Sequence, residues 1–241
     1  MVSILKLRRI ILALPVLFGA LFLMRFALQP VYSAFSSSTP ASVTEQIVLD
    51  AGHGGMDGGA VAADGTAESQ INLKIVRRLQ DLLVFFGRDV LLTRSGEEDI
   101  SSPEATSIKE KKISDLKNRV AFINETAPSL VISIHQNFLS GHPEVQGAQV
   151  FYHPTSPSQQ IAVSVQQSLN HTVNSSNKLS KPISSDIYLM KHIHCPAILV
   201  ECGFLSNSSD TVKLRNDDHQ KLLSAVIAAG VLQYQSKEGA T

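Results

Sequence analysis

Four residues of the types that handle metals and protons stand at element ends in this chain: His53, Glu68, His135 and Glu201. Two imidazoles and one carboxylate are a natural protein ligand set for a catalytic zinc, with a fourth position left for water. A second carboxylate beside such a centre can take the proton from that water. The residue types alone leave open which glutamate binds and which moves the proton. Each residue also has a plainer reading. A histidine after a strand is commonly a hydrogen-bonded turn residue, and Glu68 suits the first turn of a helix on charge grounds. Glu201 is harder to dismiss, because a carboxylate closing the apolar run "PAILV" must be paired, liganded or at a mouth.

The elements that would position these four alternate between strand and helix patterns. "QIVLD" (46–50) runs into "AGHGGMDGGA", where Gly52, Gly54 and Gly55 let the backbone turn back so that the His53 ring points into a cleft. Ile71, Ile75, Leu79, Leu82, Leu83 and Phe86 fall on one helical face, with Thr66 as the expected cap and Gly87 as the expected stop. "DVLLT" (89–93) reads as a strand and 95–113 as a polar surface loop. Residues 114–126 read as a helix with Leu116, Val120 and Ile123 inward. "SLVISIH" (129–135), "AQVFYH" (148–153) and "AILVE" (197–201) are further strands, a helix spans 156–173, and two helical stretches close the chain. The expected fold is a single α/β domain with a mainly parallel sheet and helices on both faces. His53, His135 and Glu201 each follow or end a strand, and Glu68 opens the next helix. Parallel strands therefore bring all four to the carboxyl edge, where open α/β folds place their sites.

The first residues differ in kind. "KLRR" precedes an apolar run from Ile10 to Met24, which with its extension approaches the ~20 residues a bilayer requires. Residues 1–35 are expected to be a signal or membrane anchor, 36–44 a polar linker, and 45–236 the working domain, placed outside the cytoplasm and anchored or secreted. Lys+Arg and Asp+Glu are both 21, so no basic excess favours nucleic acid. Cys195 and Cys202 could pair outside the cytoplasm or be small core residues. A structural zinc on "HIHCPAILVEC" matches no common spacing, and "GGMDGGAV" is neither a Walker loop nor a dinucleotide fingerprint.

Six separated stretches carry a resemblance: "IVLDAGHGGMDGGA", Glu68 before "INL", "LLTR" (91–94), "LKNRVAFIN" (116–124), "VISIHQN" (131–137) and "ILVECGFLSN" (198–207). In order and spacing, over residues 46–234, the chain is similar to the zinc-dependent N-acetylmuramoyl-L-alanine amidases of the amidase-3 type. The resemblance implies a mixed, mainly parallel sheet between helices and one Zn2+ per chain on His53, Glu68 and His135. It makes Glu201 the catalytic residue, and it implies hydrolysis of the amide between N-acetylmuramic acid and L-alanine in peptidoglycan. "DIYLMKHIHCPAILVECGFLSN" looks most like the sporulation- and germination-specific branch, which strips stem peptides so that cortex muramic lactam can form. Ala51 stands where many members have proline, and Ser69 and Gln70 follow Glu68 in place of the usual pair. Asp50 and Asn137 are candidates to orient the imidazoles, and Arg94 to hold a carboxylate of substrate or site. The partners this implies are peptidoglycan and, through the amino-terminal segment, a membrane. An activating protein is left open. The rival readings are a zinc peptidase acting within the stem peptide and a non-catalytic wall-binding module.

Overall fold

A period-two alternation sorts the strand residues between two apolar layers. In this computed structural model, which describes residues 46–238, a six-stranded sheet has the order β2-β1-β3-β6-β4-β5. Its strands are β1 (Gln46–Ala51), β2 (Asp89–Leu92), β3 (Leu130–Asn137), β4 (Gln149–Tyr152), β5 (Lys181–Pro182) and β6 (Ala197–Phe204). All neighbouring pairs are parallel except β4 with β6. The expected anchor and linker lie outside the described residues. Among the described residues no helix is long and apolar enough to cross a membrane.

Among the described residues six helices cover the sheet: α1 (Glu68–Phe85), α2 (Ile108–Thr126), α3 (Ser158–Thr172), α4 (Tyr188–His192), α5 (Ser208–Arg215) and α6 (Asp217–Glu238). Ile47, Leu49, Ile132, Ile134, Ile198 and Val200 face one layer, built with α1, α3 and α6. Val48, Val131, Ala197 and Leu199 face the other, built with Ile123 of α2 and Leu189 and Met190 of α4. Continuing the second set along each strand by twos gives Asp50, Ser133, His135 and Glu201. The rows that are apolar in the middle of the sheet thus become polar at its carboxyl edge.

Several boundaries differ from the sequence expectation. α1 has Ala67 at its N-cap and no side-chain cap, so Thr66 does not fill that role. Phe86 lies beyond the last helical residue and is exposed, while Ile71, Ile75, Leu79 and Leu83 are buried as expected. The polar stretch 95–113 is not all loop. Ser107 accepts from the Glu110 N–H and the Glu110 carboxylate returns to the Ser107 N–H, a capping box that starts α2 at Ile108. β3 and β6 extend past the expected 135 and 201. α6 lies close on α3: a Cβ at Gly230 would stand 2.7 Å from the Val165 Cα. Cys195 and Cys202 are buried and form no disulfide, which is the small-core-residue reading.

Candidate active site

His135 and Glu201 sit directly opposite each other on neighbouring parallel strands, just before the register shifts between His135 and Asn137. His53 reaches them from the loop after β1, and Glu68 from the first turn of α1. The ligand-type atoms of His53, Glu68 and His135 all lie within 4.8 Å of one another. The two imidazoles meet edge to face with ring centroids 5.1 Å apart.

Glu68 is 3% exposed. Its Oε2 accepts from the Ala60 N–H at 2.9 Å and its Oε1 from the Gln136 N–H at 3.0 Å, with the Asn72 amide at 3.3 Å. His135 Nδ1 stands 2.9 Å from Oε1, and His53 Nε2 stands 3.4 Å from Oε2. Burial would raise this carboxyl, but the two imidazoles hold it well below the usual carboxylate range. Burial likewise opposes a charged His53 ring, yet Asp57 and Glu68 outweigh it and raise the ring to about 9. A cation taking that nitrogen must therefore displace a proton.

The glycine loop is shaped by the rings it carries. His53 itself has φ 61, in the left-handed region. A Cβ at Gly52 would lie 2.2 Å from His135 Cε1. At Gly59 (φ 70) a Cβ would lie 2.5 Å from Glu68 Oε2 and 2.7 Å from His53 Cδ2, so this glycine also belongs to the site. Sequence reasoning singled out Gly52, Gly54 and Gly55 and missed Gly59.

Glu201 differs from Glu68 in its surroundings. Its Oε2 is buried and accepts no hydrogen bond from the protein. Burial raises its carboxyl to about 7; His135 and His53 pull it down and Glu68 pushes it up. A cleft of about 320 Å³ opens beside it, lined by His53, His135 and Glu201 together with Lys112, Asp186 and Tyr188. A buried carboxylate oxygen left without a donor, next to three clustered ligand-type atoms, fits a site that holds a cation and a reacting water. Among the described residues this His-Glu-His set is the group that could hold a metal ion. In the rival "HIHC" segment, His192 Nδ1 faces the Tyr188 carbonyl at 2.8 Å instead.

Three expected neighbours have other partners. Asp50 meets no imidazole: its oxygens take Thr93 Oγ1 at 2.7 Å, Ser133 Oγ at 2.6 Å and Arg119 Nη1 at 2.7 Å. The acceptor on His53 Nδ1 is Asp57, at 2.8 Å. His135 Nδ1 meets Glu68 and not Asn137, whose carbonyl accepts from the Leu205 N–H. Arg94 is buried and holds no carboxylate. Its guanidinium donates to the carbonyls of Ala51, Gly52, Ser69 and Gly96. Asp57 went unnoticed in the sequence, although it lies four residues after His53 inside the glycine run.

The chain has known relatives. The family model for N-acetylmuramoyl-L-alanine amidases matches residues 47–233. The chain belongs to the amidase-3 family of N-acetylmuramoyl-L-alanine amidases. The amidase is 34% identical over 194 residues to the germination-specific N-acetylmuramoyl-L-alanine amidase of Bacillus subtilis, covering 80% of this chain and 81% of that one. It is similar to the CwlD amidase of Clostridioides difficile, solved in complex with the GerS lipoprotein, at 35% identity and a TM-score of 0.76, over 80% of this chain and 98% of that one. An N-acetylmuramoyl-L-alanine amidase from Clostridium difficile 630 aligns at 26% identity with a TM-score of 0.70, over 81% of this chain and 98% of that one. The amidase is thus a hydrolase of the bond between N-acetylmuramic acid and L-alanine, as the sequence resemblance implied.

Proposed function

We propose that this amidase is zinc-dependent, that His53, Glu68 and His135 hold the metal, and that Glu201 moves the proton. The observation that carries the division of labour between the two glutamates is the contrast in their surroundings. Both Glu68 oxygens are fixed by backbone N–H donors beside the two imidazoles, whereas Glu201 Oε2 is buried with no protein donor. When bound, zinc polarises the scissile carbonyl and acidifies water, which an amide requires because it is a poor electrophile with a poor leaving group.

The side chains supply the rest. Asp57 on His53 Nδ1 leaves Nε2 directed at Glu68 and the site centre. Glu201 is a buried carboxylate beside the site with an oxygen that no protein donor occupies, placed to accept and return a proton. It takes a proton from the attacking water as the oxygen adds to the lactyl carbonyl. It then returns that proton to the alanine nitrogen as the carbon–nitrogen bond breaks, leaving a muramic carboxylic acid and a stem peptide with a free alanine amine.

The biological setting is part of the same proposal. The germination-specific name of the Bacillus subtilis relative supports action on spore cortex peptidoglycan, where stripping stem peptides precedes muramic lactam formation. The Clostridioides difficile relative was solved with a lipoprotein, which supports a lipoprotein partner here. Residues 1–35 would tether the domain outside the cytoplasm through 36–44, and a chain lacking residues 1–35 should remain soluble and folded. Digestion of cortex peptidoglycan by the full chain with zinc, read by mass spectrometry, tests the reaction. Stem peptides with an alanine amino terminus, together with peptide-free muramic acid, both abolished by a chelator, are expected. Peptides cut internally would favour a stem-peptide peptidase, and binding without cleavage a wall-binding module.

A further inference from the structure

The backbone that carries His53 is gripped from α2. Arg119, 1% exposed, donates through Nη1 to the Ala51 carbonyl and through Nη2 to the His53 carbonyl, each at 2.7 Å. His53 sits at φ 61, a conformation that a residue with a side chain keeps only where its surroundings fix it. Both contacts fall on the segment that sets the direction of the ring. Asp115 and Asp50 balance the guanidinium charge, at 2.8 Å and 2.7 Å.

The contact does not end at Asp50. Its other oxygen accepts from Ser133 Oγ at 2.6 Å, and Ser133 is 0% exposed. Ser133 lies two residues before His135 on β3, so the two side chains share a face. One unbroken run of polar contacts, buried from Arg119 inward, therefore joins the His53 carbonyl to the strand bearing His135. We propose that Arg119 is a positioning residue, which with Asp50 and Ser133 sets the two imidazoles at the separation a metal needs, and so governs metal affinity. This rests on the reading that His53 and His135 hold zinc.

The residue type suits the task. A planar guanidinium has several donors in a fixed fork and can span two carbonyls and two carboxylates at once, while a lysine ammonium presents its donors from a single point. A buried ion pair gives little net stability over apolar side chains of similar volume. What this pair adds is a fixed relation between two segments, and contacts behind metal ligands typically change affinity tenfold to a hundredfold.

The test uses the full chain as wild type, Arg119→Lys, Ser133→Ala and Ser107→Ala. Zinc affinity is measured by competition with a chelator, the visible absorption is recorded after cobalt loading, and the apo proteins are melted thermally. Arg119→Lys and Ser133→Ala are expected to lose roughly tenfold to a hundredfold in zinc affinity and to shift the cobalt absorption while still melting cooperatively. Ser107→Ala weakens the same helix at its exposed start and should keep wild-type affinity. Should Arg119→Lys fail to fold, Ser133→Ala decides alone. Wild-type affinity in folded Ser133→Ala would overturn the proposal. So would an equal loss in Ser107→Ala, because affinity would then merely follow stability. A wild-type chain that binds no zinc would overturn the metal reading beneath it.

Discussion

Gly59 shows how little room the candidate metal centre leaves. It combines φ 70 with a position where a Cβ would stand 2.5 Å from Glu68 Oε2, so alanine there is strained in backbone and side chain together. Gly59→Ala is expected to leave a folded protein with zinc binding reduced at least tenfold, measured by metal analysis after gel filtration; full zinc occupancy would show that the loop yields. His53, Glu68, His135 and Glu201 were legible in the sequence because a chemically demanding residue stood at a strand end or helix start. Their partners were not. Asp57 was not singled out, and Asp50, a candidate to orient an imidazole, pairs with Arg119 instead. Arg94 was a candidate to hold a carboxylate or else a solvated arginine, yet it is buried and all its acceptors are backbone carbonyls, and every residue of a chain offers one of those. No pattern of residue types reveals which will be used.

At the level of elements, α2 departs most from expectation. Its inward face includes Asp115 and Arg119 beside Ile123, and its first residues, 108–113, are mostly exposed, Ile108 and Ile113 among them, so a search for apolar periodicity finds the helix only from 114 onward. The Ser107-x-x-Glu110 signature stands inside a stretch whose polarity reads as loop, so it was not singled out. The box ties the helix start to the loop in two places. Ser107→Ala should cost about 1 kcal/mol of stability, seen as a lower melting temperature with unchanged peptidoglycan hydrolysis. A drop in hydrolysis out of proportion to stability would mean that the helix start itself contacts substrate. The antiparallel run of β4 against β6 was illegible for a different reason. Its apolar residues would serve either direction, and direction is set by how the chain crosses between distant strands.

Across the whole molecule, four distant segments meet at one sheet edge, and the charges buried there link folding to pH. Burial raises the Asp50 carboxyl, but Arg119, the nearby His135 ring and the Ser133 and Thr93 hydroxyls outweigh it and hold it at about 2, below its ordinary 3.8. Because the folded value is the lower one, this group's stabilisation is complete above about pH 4 and is lost as pH falls toward about 2. It amounts to roughly 2 kcal/mol. Acid unfolding followed by circular dichroism should therefore be less steep over that window in Asp50→Asn, and an unchanged slope would place the pH dependence elsewhere. The same convergence of segments leaves Glu201 buried beside the ligand cluster with one oxygen unclaimed by the protein. Glu201→Gln tests its assignment most directly, with zinc content and release of alanine-terminated stem peptide measured on the same preparation. Zinc should stay at one per chain while release falls by about a hundredfold or more, the usual contribution of a positioned proton-transfer group. Loss of the zinc would make Glu201 a ligand, and undiminished release would remove it from the reaction.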